Sequence, residues 1–413
     1  MKLHLGRYDY ASYGAFCAYA CSSLVIPIVL VDLARSLNFP LEDGGMSDGG
    51  LMQICRGGAM VVALIACGGI GARFGKRLTM GLAMLMMGSG ILAAAFVNSF
   101  GWLLPFLAIA GIGEGICEGM ATPFVHDLHK SDQAGYVSIA HSFWSVGICF
   151  SVVLAGALVA LGFSWRGIVA ASGIFSMLVS LGFHWRERRG LEYPEKRFQD
   201  SGGDVWRQTS LIVRCPRFWV YCLGMFVGAG AEFCLTFWSA SFIRLHYGTS
   251  AWIGGLGTAC LALGMFLGRS GYGKFVPENR QPHLLVIAAA CGVPITIAMQ
   301  FIDNAFIGSS GLSLIMQFFL MFLSGFSIAP YWPTLQVYGA KQLPELDSTM
   351  LFIWFSSVGI PGCAFFTWLM GFLGDHIGLE KSLYIVPASM AFYALLILLE
   401  AFVFPRRKCA KAV

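Results

Sequence analysis

Arg56, Glu114, Glu118, His141, Glu232 and Arg269 all stand inside long apolar stretches. An ionised group there is costly unless it is paired, protonated or open to water. The chemistry open to such residues is ion pairing, reversible proton uptake and the binding of polar solutes. Glu118 lies about ten residues from the nearer end of its apolar run, roughly 15 Å deep at helical rise. It is the sharpest candidate for a proton site. Glu114 precedes it by one helical turn, and two neighbouring carboxylates resist simultaneous ionisation. Glu114 is therefore a second proton site or a partner for Arg56, with a gating or structural ion pair preferred. His141 can hydrogen-bond a solute hydroxyl and change charge near neutrality. Glu232 follows Gly228-Ala229-Gly230-Ala231 and is a candidate polar contact to solute. Arg269 reads as a gate or a snorkelling residue.

Trp144, Trp238, Tyr331, Trp332 and Gln336 are candidates to line the same solute site, with His141 and Glu232. Aromatic faces stack on the apolar C–H faces of sugars, while hydroxyls need amide or hydroxyl partners. Aromatics make up 14% of the chain, so core and interfacial positions compete for each assignment. No nucleophile–base constellation stands out, so no catalytic residue and no cofactor are expected. The 13 Cys include no Cys-x-x-Cys pair, and no zinc-type spacing occurs, so no metal site is expected.

The elements carrying these residues follow from composition. Of 413 residues, 57% are hydrophobic and 12% charged. Mean hydropathy is +0.71. A soluble domain carries about 25% charged residues. A soluble enzyme, a disordered chain and a nucleic-acid binder are excluded on that ground. The apolar runs are long, so the bilayer is spanned by helices rather than a β-barrel. Twelve spans are predicted, at 11–35, 46–72, 77–98, 102–127, 134–162, 164–185, 216–243, 250–274, 283–302, 307–338, 347–373 and 380–404. The polar stretch 186–215 divides the chain into a six-helix half, 1–185, and a second, 216–413.

Lys and Arg sort by alternate connections. Of 27, 21 fall on the side of the N-terminus, most of them around the central connection and in the C-terminal tail. Only Arg35, Arg166, Arg244 and Lys381 fall on the other side, and Arg56 and Arg269 lie within spans. That imbalance predicts both termini on the cytoplasmic side of an inner membrane.

The halves repeat weakly. Ser145-Val146-Gly147-Ile148 recurs as Ser357-Val358-Gly359-Ile360, and Gly115 and Pro123 recur as Gly325 and Pro333. Internal repetition of this kind belongs to alternating-access transporters. Gly111, Gly113, Gly115 and Gly119 suggest one smooth face on the fourth span.

Between the second and third spans the chain reads Gly68-Gly69-Ile70-Gly71-Ala72-Arg73-Phe74-Gly75-Lys76-Arg77. This resembles the signature loop of the major facilitator superfamily, with Ala72 where the signature has Asp. The resemblance implies a fold of two pseudo-symmetric six-helix bundles rocking about a central site. It puts Arg73 at a cytoplasmic gate, while Ala72 removes the acidic member of that latch. A narrower stretch, Glu118 to Val125 and Ala140 to Gly147, resembles the fucose–proton symporter family. On that match Glu118 falls on the family's proton-linked Glu, His141 on a sugar-contacting Gln and Trp144 on an Asn. The family's acid on the first helix falls on Ser23, which cannot titrate; His141 can compensate. Ala329-Pro330-Tyr331-Trp332-Pro333-Thr334 and Gly268-Arg269 are also similar.

The expected protein is an all-α, twelve-span secondary transporter. It carries a sugar or similar small polar solute with a proton, as a monomer whose partners are solute, proton and lipid bilayer. An exporter of amphipathic small molecules is the alternative on the same fold. A membrane sensor or a membrane-embedded enzyme lacks the domain or the constellation it would need.

Overall fold

The computed structural model describes residues 5–129, 133–184, 202–302, 310–346 and 348–403. Lys2, Lys130, residues 186–201 of the central connection and the basic tail beyond 403 lie outside them, as does the side chain of Ala72. All regular structure among the described residues is helical. In lipid no water meets a backbone N–H or C=O, and a helix satisfies both within one segment.

The helices are α1 (Arg7–Ser36), α2 (Met46–Phe74), α3 (Lys76–Ala94), α4 (Phe100–Leu128), α5 (Gln133–Ala160) and α6 (Trp165–His184). A short α7 (Gly202–Val213) stands within the stretch read from sequence as a polar connection. Then come α8 (Pro216–His246), α9 (Ala251–Phe275), α10 (Gln281–Ala298), α11 (Ser310–Ile328), α12 (Tyr331–Gln342), α13 (Ser348–Ile377), α14 (Leu379–Ser382) and α15 (Ile385–Leu398). A π-helical turn, Leu399–Val403, follows α15. Among the described residues, twelve spans are long and apolar enough to cross a membrane, Gly311–Gln342 counting as one.

That tenth span breaks between α11 and α12. Pro330 and Pro333 have no N–H to give to the carbonyls four residues back, Phe326 and Ala329. Both carbonyls are taken up by α9. The Tyr272 hydroxyl donates to Phe326 O at 3.1 Å and Arg269 Nε to Ala329 O at 3.4 Å. Pro27 acts likewise in α1: the Ser23 carbonyl it leaves open accepts from Arg56 Nη1 at 3.4 Å.

The helices form two compact units. One comprises Met1–Gly45, Ile54–Gln199 and Ser250–Ala259; the other Met46–Gln53, Asp200–Thr249 and Cys260–Val413. In the first, α1 packs on α5 and α6, and α3 on α4 and α6. In the second, α8 packs on α13, α15 and α12, and α10 on α15 and α11. Each unit is built around the first long helix of its half. Along their most apolar stretches α1 is 89% buried and α8 72%, more than any other span.

Glycines set the closest approaches. A Cβ on Gly113 would stand 2.5 Å from the Ala83 carbonyl oxygen of α3, too close for any other residue. Gly111 and Gly115 abut the backbone of Arg56 and Met60 on α2, and Gly119 the Cys67 thiol. The single smooth face expected on α4 is thus two faces: Gly111, Gly115 and Gly119 toward α2, Gly113 toward α3. Two residues subtend about 200° on a helix, which places Gly113 opposite its neighbours. The repeat partner of Gly115, Gly325, abuts Leu261 on α9 in the same manner. Gly75, with φ of +80°, makes the turn from α2 to α3.

Candidate functional site

The first unit holds a buried ionic triad. Gly111 and Gly115 bring α4 against α2, and that contact sets Arg56 beside Glu114. Arg56 Nε donates to Glu114 Oε2 at 2.8 Å, and its Nη2 donates to Oε1. The Ser22 hydroxyl of α1 donates to Oε1 at 2.7 Å and accepts from Arg56 Nη2 at 3.1 Å. The side chains of Arg56 and Glu114 are 5% and 2% exposed. A forked, doubly bonded pair with a third donor is the geometry that holds a carboxylate charged inside a low-dielectric interior.

Glu118, one turn along α4, is half-buried. It lies near Tyr19 on α1, Cys117 on α4 and Cys67 on α2. The Tyr19 ring lies 4.4 Å from that of Trp144 on α5. His141 is exposed, with Nε2 2.8 Å from the Thr122 hydroxyl, one turn beyond Glu118. Its ring lies 4.7 Å from Phe16. Glu118, Thr122, His141, Trp144 and Tyr19 therefore share one neighbourhood where α1, α4 and α5 meet. His141 reaches α4 at Thr122. The arrangement offers one carboxylate, one imidazole, two hydroxyls and an indole face, a set suited to a proton and a polyhydroxylated solute.

The second unit holds the other candidates. Arg269 Nη2 donates to Glu232 Oε1 at 2.8 Å. Glu232 Oε2 is buried and has no hydrogen-bond partner among the described residues. Trp332 and Gln336, one turn apart on α12, face α13. The Trp332 ring lies over Gly359, and Gln336 Nε2 donates to the Ser356 hydroxyl at 3.0 Å. Trp238 and Tyr331 stand otherwise. Trp238 is fully buried, with its indole N–H on the Thr367 carbonyl at 3.0 Å. Tyr331 is 1% exposed and stacks on Tyr393, ring centroids 4.5 Å apart. Both sit in helix packing in this structure. Indole and phenol bodies are large apolar groups, and in this aromatic-rich chain packing claims them.

Around the signature-like loop, Arg73 is exposed, its guanidinium 5.5 Å from the Phe74 ring centre. Lys76 pairs with Asp127 of α4 at 2.7 Å, and Arg77 Nη1 donates to the Phe183 carbonyl of α6. The basic residues thus bind the ends of α4 and α6.

Several ionic groups escaped the sequence reading. Glu400, in the π-helical turn, accepts from Arg217 Nε at 2.8 Å and from the hydroxyls of Tyr221 and Tyr338. It is an acid in an apolar run, the same signal that singled out Glu118. Asp9 meets His129 Nε2 at 2.6 Å and accepts from the Gly6 N–H at 2.8 Å. Asp375 caps the start of α2. It accepts from the backbone N–H groups of Met46 at 2.8 Å and Ser47 at 2.7 Å. Those N–H groups have no partner within the helix, and the positive end of the helix dipole favours a carboxylate there. No group of three or more His, Cys, Asp or Glu among the described residues is placed to hold a metal ion.

The comparisons agree with this architecture. A family model described as Major Facilitator Superfamily matches residues 11–364. A crystal structure of the D-xylose-proton symporter superposes with a TM-score of 0.76 at 14% identity, covering 98% of each chain. A bacterial homologue of the human lysosomal transporter Spinster gives 0.75 at 17% identity, covering 96% of this chain and 97% of that one. A variant of the E. coli fucose:proton symporter FucP gives 0.64 at 19%, over 95% and 98%. At these identities the likeness shows the fold. A chloramphenicol resistance protein of Pseudomonas aeruginosa is 25% identical over 232 residues, 54% of this chain and 52% of that one. The chain therefore spans about half the length of that curated relative.

Proposed function

The chain belongs to the Major Facilitator Superfamily, and from that premise we propose that it is a proton-coupled symporter of a sugar or similar small polyhydroxylated solute, working by alternating access. The observation that carries this reading is the neighbourhood of Glu118. A half-buried carboxylate stands one turn from Thr122, to which His141 is bonded, and beside a Tyr19–Trp144 ring pair. Protonation of Glu118 favours the state that binds solute from outside, and release of both to the inside resets the carrier. Glu114 serves as the fixed charge partner of Arg56. The resemblance to the fucose–proton symporter family over residues 118–147 supports the same assignment, as do sugar–proton symporters among the structural neighbours. The asymmetry of Lys and Arg supports both termini on the cytoplasmic side of an inner membrane. The carrier works as a monomer.

The test is Glu118→Gln in proteoliposomes. Solute exchange survives while pH-driven accumulation disappears. Retained accumulation removes Glu118 from the coupling role. A second reading, export of amphipathic compounds, draws on the likeness to the chloramphenicol resistance protein and on Ser23 at the position of the symporter family's first acid. Thermal-shift screening against sugars and against amphipathic aromatics separates the two: stabilisation by the amphipathic set alone favours export.

A further inference from the structure

The ion pairs of the two units differ in completeness. Both oxygens of Glu114 are occupied, Oε1 by Ser22 and Arg56, Oε2 by Arg56. Glu232 has one occupied oxygen, and its other is buried without a partner. The Tyr331 hydroxyl is in the same condition. Ser327 lies alongside it but gives its proton to the Ala288 carbonyl. Glu232 lies near Tyr331. Gly228, one turn before Glu232 on α8, lies against Tyr331 and Tyr393. The Tyr393 hydroxyl is also buried and unpaired. A charged oxygen left unmet in such a place costs more than a neutral one.

We propose that Glu232 is a second proton-binding site, carried by the C-terminal half and distinct from Glu118. A proton from water bonds to Oε2 and makes the carboxyl neutral. The new O–H is a donor, and the Tyr331 hydroxyl is an unpaired acceptor in its vicinity. The ion pair with Arg269 is lost, no other bond forms or breaks, and the pair gains one positive charge. Arg269 tolerates that change. Its side chain is 27% exposed, it keeps the Ala329 carbonyl, and it stands less than two turns from the end of α9, within snorkelling reach of water. Glu114 has no equivalent freedom, because neutralising it would strand Arg56 in the interior. The titratable groups near Glu232 are Arg269 and Tyr272 on α9, Tyr331 on α12, Cys291 on α10, Tyr393 on α15 and Cys363 on α13, whose thiol bonds to the Ala229 carbonyl.

This inference rests on reading the chain as a proton-coupled carrier, but its test needs no solute. A hydrophobic carbodiimide modifies protonated carboxyl groups in apolar surroundings. The purified full chain in lipid nanodiscs is treated with dicyclohexylcarbodiimide across mildly acidic to alkaline buffers, and adducts are mapped by mass spectrometry. Glu232 is expected to be modified, with the rate rising about tenfold per pH unit fall while the group is mostly ionised. Glu114 is expected to stay unmodified throughout. In Arg269→Gln the Glu232 adduct should persist into more alkaline buffer. No adduct at Glu232 in the wild-type protein, or one independent of pH, overturns the proposal. Equal modification of Glu114 overturns it too. Retained solute accumulation in Glu118→Gln would leave these outcomes untouched, so the two readings fail separately.

Discussion

Each unit sets an arginine from the second span of its half against a carboxylate and a proline-opened carbonyl, but the parts are exchanged. In the first unit Arg56 meets Glu114 on the fourth span, and the open carbonyl, Ser23, lies on the first. In the second unit Arg269 meets Glu232 on the first helix of its half, and the open carbonyl, Ala329, lies on the fourth span. The first version adds Ser22 and a forked geometry. The second has a single bond to the acid and leaves an oxygen unmet. Equal residue types thus give a closed lock in one unit and an unfinished contact in the other. The difference lies in bond count and burial, properties that composition does not carry.

The largest expected effect tests that difference directly. Arg56→Met strands Glu114, 2% exposed, and should cost about 3–5 kcal/mol, read as a marked fall in apparent Tm. Arg269→Met strands Glu232, whose side chain is 15% exposed and can take a proton, and should cost about 1–3 kcal/mol. Arg56→Met with Glu114→Met should recover most of the first loss, since removing both partners removes the stranded charge. Equal falls for the two single variants would break the comparison.

A smaller pair of variants sharpens it. Ser22→Ala removes a hydroxyl that donates to a buried carboxylate, a loss of about 1.5–3 kcal/mol for a bond to a charged group. Tyr331→Phe removes a hydroxyl with no partner among the described residues, so stability should stay within about 0.5 kcal/mol of wild type. A large loss at Tyr331 would mean that its hydroxyl is engaged, and the second unit would be as closed as the first.

The spans were legible because they are written in long apolar runs. The Gly115 and Gly325 repeat was legible too, and both glycines weld a second span to a fourth. The Glu114–Arg56 preference rested on depth alone, and the structure supplies the partner, but nothing in the spacing pointed to Ser22. Partners on different helices depend on rotation about each axis, which one sequence does not fix. Trp238 and Tyr331 show the same limit: an aromatic in a span reads alike whether it faces a solute or a neighbouring helix. Glu400 was open to the criterion used for Glu118, since it too is an acid in an apolar run. The break between α11 and α12 was written in Pro330 and Pro333, yet the recruitment of both opened carbonyls by α9 was not.

The two proline-opened carbonyls give the smallest and most specific contrast. Restoring an N–H by Pro27→Ala lets α1 reclaim the Ser23 carbonyl from Arg56. That bond is long, at 3.4 Å, and Arg56 keeps Glu114 and Ser22, so stability should stay within about 0.5 kcal/mol. Pro333→Ala returns the Ala329 carbonyl to α12, and Arg269 is left with Glu232 alone. The expected loss is about 1 kcal/mol. A second effect follows that Pro27→Ala should lack. With its arginine less firmly placed, Glu232 should be easier to neutralise, so carbodiimide modification should extend into more alkaline buffer, in the direction of Arg269→Gln but by less. If both proline variants leave Glu232 labelling unchanged, the Ala329 carbonyl does no positioning. The asymmetry between the units would then reside in the carboxylates alone.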